Sequence, residues 1–148
     1  MKPVRTSRTI AAPLSLVFET LSNPKNFQTA VPHIKKIEFL TEQESGAGTR
    51  FRETREMNGR EESVVLEVTE YVANERVRIV SDAGGTIWDS VFSVSETAGG
   101  VEMNLQMDVR PYKVLARVMN LFIRGFVVKG LETDMDAVKK YCESRSGA

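Results

Sequence analysis

Cysteine and histidine are almost absent: Cys142 and His33 are the only ones among 148 residues. A lone cysteine excludes an internal disulfide framework, and nothing else points to secretion. One histidine and one cysteine at opposite ends of the chain have no metal-ligand spacing, so no metal is expected. Net charge is absent too, with 20 basic against 20 acidic residues. Global charge therefore gives no argument for a polyanionic partner, and no nucleic acid is expected. No run approaches the roughly 18 apolar residues that span a bilayer. The basic, alternating start, Met1 to Ile10, lacks the apolar stretch of a signal peptide. Together these absences lead to a cytoplasmic expectation. Serine-nucleophile motifs are missing, and Gly46-Ala-Gly48 precedes a strand, making it a hairpin turn and not a phosphate cradle. No cofactor is expected.

What is present reads as one ordinary globular domain over 1–148, with 41% hydrophobic and 27% charged residues. Lys2 to Ile10 is rich in β-branched residues and predicts a strand. Pro13 opens a short helix with Leu14, Val17, Phe18 and Leu21 on one face. Ser22-Asn-Pro24 repeats the cap-then-proline signal and starts a second, running to about Ala30. From Ile34 the period changes to two. Five turns (Glu44–Gly48, Asn58-Gly59, Ala73–Glu75, Ala83–Gly85 and Thr97–Gly100) separate six strand-like runs, which describes an antiparallel meander.

Asn58-Gly59 predicts a two-residue type I′ loop and so a register: Met57 opposite Arg60, Arg55 opposite Glu62, Glu53 opposite Val64, Phe51 opposite Leu66. The side with Phe51, Val64, Leu66 and Val68 is the buried one; Arg50, facing Glu67, lies on the wet side with Arg52, Thr54 and Glu56. Trp88, Phe92 and Val94 share a face, as do Val101, Met103, Leu105, Met107 and Val109. After Pro111, Leu115, Val118, Phe122 and Phe126, then Val127, Leu131, Met135, Val138 and Cys142, recur at helical spacing. This long helix is expected to bury its stripe on the concave side of the sheet.

That element order resembles the START-like, or SRPBCC, superfamily. The local wording is similar to its polyketide cyclase/dehydrase-type branch: Ile10-Ala-Ala-Pro13 with Val17-Phe18, Ser22-Asn-Pro24, Gly48-Thr-Arg-Phe-Arg-Glu-Thr-Arg55, Asn58-Gly-Arg60, Glu67-Val-Thr-Glu-Tyr71 and Asn74-Glu-Arg76. The resemblance implies an α+β helix-grip fold: a seven-stranded curved antiparallel sheet, two short helices after the first strand, and a long C-terminal helix. It further implies a cavity for lipids, polyketides or other apolar molecules. Members range from lipid carriers to aromatase/cyclases and partner-binding factors, so the fold leaves function open.

Under this reading Phe51, Leu66, Trp88, Ser90, Phe92, Met103, Leu105, Met107, Phe122 and Phe126 are candidates to line a cavity. The methionines also suit a core. Glu53 and Arg55, on the same face as Phe51, are candidates for a polar anchor taking a carboxylate, hydroxyl or carbonyl; the alternative is an Arg55–Glu62 pair half in solvent near the hairpin end. His33 could act as a general base or simply sit exposed in a loop. Between Arg110 and Lys129 there is no acidic residue, and Lys113, Arg117, Asn120 and Arg124 form a polar, basic stripe. The 112–126 segment is thus a candidate for peripheral membrane or protein contact, and monomer and homodimer both stay open. Gly125 and Gly130 suggest a bend, a close approach to the sheet or a hinge. Three functions follow in order: carrier or sensor of a small apolar molecule, cyclase or dehydratase, and docking module.

Overall fold

The computed structural model describes residues 2–146. Met1, Gly147 and Ala148, the ends of the expected domain, lie outside them. The chain runs β1 (Val4–Ile10), α1 (Leu14–Ser22), α2 (Pro24–Ala30), β2 (Ile34–Phe39), β3 (Arg50–Met57), β4 (Arg60–Val72), β5 (Arg76–Ala83), β6 (Thr86–Thr97), β7 (Gly100–Pro111) and α3 (Val114–Arg145). The strands form one antiparallel sheet in the order β1-β7-β6-β5-β4-β3-β2. The meander therefore starts at one edge, and β1 closes the other by pairing with the last strand. The meander is the one that the turn spacing predicts, and with the two short helices and the long terminal helix it makes the helix-grip arrangement that the resemblance implies.

Local chemistry sets the joints. Asn58 and Gly59 both take positive φ, 53° and 76°, as a type I′ turn requires. The β3–β4 register follows as expected, from Met57 opposite Arg60 to Arg50 opposite Glu67, and Arg50 pairs with Glu67 at 3.5 Å on the outer side. At α2 the Asn23 side chain accepts from the backbone N–H groups of Lys25 and Asn26, with Pro24 as the first helical residue. Pro13 is the cap of α1 instead of its first residue, one position earlier than expected.

The core lies toward β1 and β7. Phe18, Ile10, Met103, Leu105, Met135 and Val138 are fully buried there. The C-terminal half of α3 supplies Met135, Val138 and Cys142, the stripe that the periodicity marks. Its N-terminal half departs from expectation. Leu115, Val118, Phe122 and Phe126 are exposed, and the residues turned inward are Ala116 and Asn120. Polar ties fix that rotation. The Asn120 amide donates to the Thr86 hydroxyl at 3.3 Å, and the Arg124 guanidinium donates to the Lys2 and Pro3 carbonyls. Backbone N–H groups of Tyr112 and Lys113 donate to Gly85 O. The expected basic stripe is accordingly broken at Asn120. Nor do the helix glycines mark a close approach: a Cβ at Gly125 or Gly130 would meet nothing within 4 Å. No helix among the described residues is long and apolar enough to cross a membrane.

Candidate ligand cavity

Inward-facing residues of β3 to β6 do not all meet a partner. Val64 and Leu66 are only half-buried although their face is the concave one. The space they face is a cavity of about 350 Å³, at the lower end of the roughly 300–1,000 Å³ usual for small-molecule sites. Its sheet wall is Phe51, Leu66, Ile79, Trp88, Phe92 and Met107; α1 and α2 contribute Leu21, Pro24 and Phe27, and α3 contributes Phe126, Val127, Gly130 and Leu131. Period-two alternation places each sheet residue. Phe27 and Phe92 meet edge to face, with ring centroids 6.1 Å apart, and join the helices to the sheet at one end of the cavity.

Few polar groups interrupt this wall. The Trp88 indole donates to Ala83 O at 3.3 Å, so its donor is engaged while the side chain lines the cavity. Ser81 and Ser90 line the cavity, and their hydroxyls make no hydrogen bond among the described residues. The remaining polar feature is a cluster at one end. Arg55 Nε donates to Glu53 Oε1 at 2.6 Å, and its two terminal nitrogens reach Asp134 at 3.0 and 2.9 Å. Glu53 and Asp134 are only 8% and 9% exposed. Burial works against the Arg55 charge, but both carboxylates outweigh it and hold its pKa above the ordinary guanidinium value. One cation against two carboxylates leaves the cluster one negative charge in excess.

The expected Arg55–Glu62 pair does not form. Glu62 stands opposite Arg55 in register yet lies in solvent, and the guanidinium turns inward to Asp134 and Glu53. A forked contact with a buried carboxylate is the stronger option, because a solvated glutamate already has water.

The cluster stands where the cavity meets an outer cleft of about 450 Å³. That cleft runs between the β3–β4 hairpin tip (Met57, Asn58, Gly59) and the middle of α3, with Arg55, Phe126, Gly130 and Asp134 common to both spaces. His33 lies in the cleft and is exposed, its carbonyl accepting from Glu56 N–H. Among the described residues no acid or base partner orients its ring. Among the described residues no group of side chains could hold a metal ion.

The cavity gathers Phe51, Glu53, Arg55, Leu66, Trp88, Ser90, Phe92, Met107 and Phe126 from the expected set. Met103 and Leu105 are not among the lining: both are buried on β7, beside β1, where α1 and α3 cover them. Phe122 is not either, at 81% exposed, because the polar ties rotate that turn of the helix outward. Asp134, Ser81 and the α1–α2 residues fall outside the expected set. A signal for Asp134 existed, as an acid within the apolar run of Val127, Leu131 and Val138.

Solved structures share this architecture at low identity. A Thermus thermophilus protein, TTHA0849, aligns over 99% of this chain and 100% of its own, with TM-score 0.79 and 16% identity. Ara h 8.0201 aligns over 97% and 98%, with TM-score 0.78 and 14% identity. The di-domain ARO/CYC StfQ of the steffimycin biosynthetic pathway aligns over 99% of this chain and 52% of its own, with TM-score 0.79 and 11% identity. At such identities the likeness is one of fold. No curated protein sequence matches this one. The sequence model of the family described as "Polyketide cyclase / dehydrase and lipid transport" matches residues 1–143, and with that match over nearly the whole chain, the protein belongs to this family.

Proposed function

We propose that the protein binds a small, mostly apolar molecule carrying a neutral hydroxyl or carbonyl group, and acts as its carrier or sensor. The observation that carries this reading is the cavity itself, apolar on most sides, with two unengaged serine hydroxyls in its wall and the Glu53–Arg55–Asp134 cluster at one end. A ligand carboxylate would have to displace Glu53 or Asp134 from Arg55 and add negative charge to a cluster already in excess. That narrows the polar end of the ligand to a neutral group, able to donate to a carboxylate or to bond Ser81 or Ser90.

Trp88 is the sole tryptophan and stands in the wall, so its fluorescence reports occupancy directly. Titration with a medium-chain alcohol should quench or shift it, and the fatty acid of equal length should bind at least tenfold more weakly at neutral pH. Equal affinity would remove the cluster from the recognition role; no response to either, with no co-purified mass in native mass spectrometry, would count against the cavity as a binding site.

A cyclase or dehydratase reading draws on the same two buried carboxylates and on the family's described range. Both carboxylates are engaged by Arg55, which favours anchoring over proton abstraction. If Glu53 were a base, Glu53→Gln would abolish turnover of a polyketide-like substrate and leave binding intact; unchanged turnover removes it from that role.

A further inference from the structure

The first half of α3 turns its large apolar side chains away from the protein. Val114, Leu121 and Phe122 are 77%, 79% and 81% exposed, and Leu115, Val118 and Met119 continue the same outward arc. From Val114 to Phe122 only Ala116 and Asn120 are buried. A soluble surface rarely leaves so many large apolar side chains contiguous without a partner. No acidic residue occurs between Asp108 and Glu132. Lys113, Arg117 and Arg124 fall along one flank of this helix, at its junction with the sheet, and none of them forms an ion pair among the described residues. Asp82, beside Tyr112 just before the helix, is engaged by the Tyr112 hydroxyl at 2.7 Å.

We propose that the 114–122 face docks on the surface of a bilayer containing anionic lipid. The apolar arc enters the boundary between headgroups and acyl chains, and the exposed Lys113 and Arg117 side chains meet the lipid phosphates, while Arg124 stays tied to the Lys2 and Pro3 carbonyls. An apolar face with cations at its border is the pattern of an interfacial helix. Charge decides against a second copy of the chain as the occupant. A twofold contact through this face brings like cations of two copies together, with no acid in the segment to answer them, whereas an anionic leaflet supplies that charge. Phe126 belongs both to the cavity wall and to the end of this helix segment, so docking brings the cavity rim to the lipid surface. The docking argument stands on the helix face alone and does not require the cavity reading.

Flotation of the full chain with vesicles tests it, using phosphatidylcholine alone or mixed with phosphatidylglycerol, at low and high salt. Binding is expected on the mixed vesicles, weakened by salt. Lys113→Gln and Arg117→Gln should each lower the partition coefficient roughly fivefold, and Leu121→Glu with Phe122→Glu should abolish flotation. These side chains are exposed, so the thermal midpoint of each variant should stay at the wild-type value, which separates lost docking from lost folding. No flotation of the wild type on either vesicle overturns the proposal. So does binding that ignores lipid charge and survives the double glutamate variant. A concentration-dependent dimer in sedimentation, dispersed by that variant with no vesicle binding, would assign the face to a contact between copies instead.

Discussion

Replacing Arg55 with leucine leaves Glu53 and Asp134 in the cavity wall without a cation. Both carboxylates are almost wholly buried, and the substitution removes a 2.6 Å hydrogen bond from one and a forked pair from the other. Breaking a buried pair by removing one partner costs about 3–5 kcal/mol, because the remaining charge stays desolvated. The Arg55 side chain is 27% exposed and water reaches the cluster from the outer cleft, so about 3 kcal/mol is the expected destabilisation. Urea denaturation at about pH 7 should show a lower midpoint with an unchanged slope. Adding Glu53→Gln and Asp134→Asn to Arg55→Leu should restore most of the stability at neutral pH, since no buried charge then remains. A destabilisation below about 1 kcal/mol, or no recovery in the triple variant, would mean that the cluster is solvated and does not form part of the cavity wall.

Three further outcomes follow from individual positions. Gly130 faces the cavity with open space where a Cβ would stand, so Gly130→Ala should raise stability by about 1 kcal/mol, read by thermal unfolding; destabilisation would mean that the gap is not there. On the opposite face of the sheet, Arg78 hydrogen-bonds Asp89 and, despite burial and with help from Arg110, holds its carboxyl below the usual range. A lowered folded-state pKa contributes stability at neutral pH that is lost as pH falls through that value, so Asp89→Asn should destabilise by about 1–3 kcal/mol at pH 7 and flatten the acid limb; an unchanged acid limb would refute it. Burial pushes the Cys142 thiol up, and among the described residues only Thr20 hydrogen-bonds with its sulfur, so a thiol reagent should label it no faster than the protein unfolds; rapid native-state labelling would show that the core is open there.

Strand identity, register and inward faces were legible because period-two alternation and one Asn-Gly turn leave little freedom: a slip of one residue at Asn58-Gly59 would have put Phe51 in water. The sheet half of the cavity was legible for the same reason. The rotation of α3 was not. Helical spacing marks Leu115, Val118 and Phe122 as a stripe but does not say that the stripe faces the protein, and the choice is made by long-range ties from Asn120 to Thr86 and from Arg124 to the start of the chain. Spacing also cannot tell a lining residue from a core one. Met103 and Met107 are on one face of one strand and stand opposite Arg8 and Val4 of β1, so what separates them is position along the strand: the buried half of α3 lies beside Arg8 and Thr9.

The cavity exists because α3 is held at one edge of the sheet. Its C-terminal half buries Met135, Val138 and Cys142 against α1 and the β1–β7 side. Along the same edge Arg8 bonds Asp136, Lys139 donates to Thr9 O, and Ala11 N–H donates to Glu143. Exposed pairs such as Arg8–Asp136 contribute little energy singly, but together they fix where the helix lies. Apolar burial, at about 25 cal/mol per Å², favours moving a helix over Leu66, Ile79 and Phe92. A helix already committed at its other end cannot cover them, and Gly130, which lines the cavity, carries no side chain to fill the gap. The apolar surface left uncovered is therefore the driving force for whatever enters. It follows that an occupant stabilises the fold without needing to move the helix: a ligand at a hundred times its Kd adds about 2.7 kcal/mol, with the hydrogen exchange of 131–142 slowed only by that global amount.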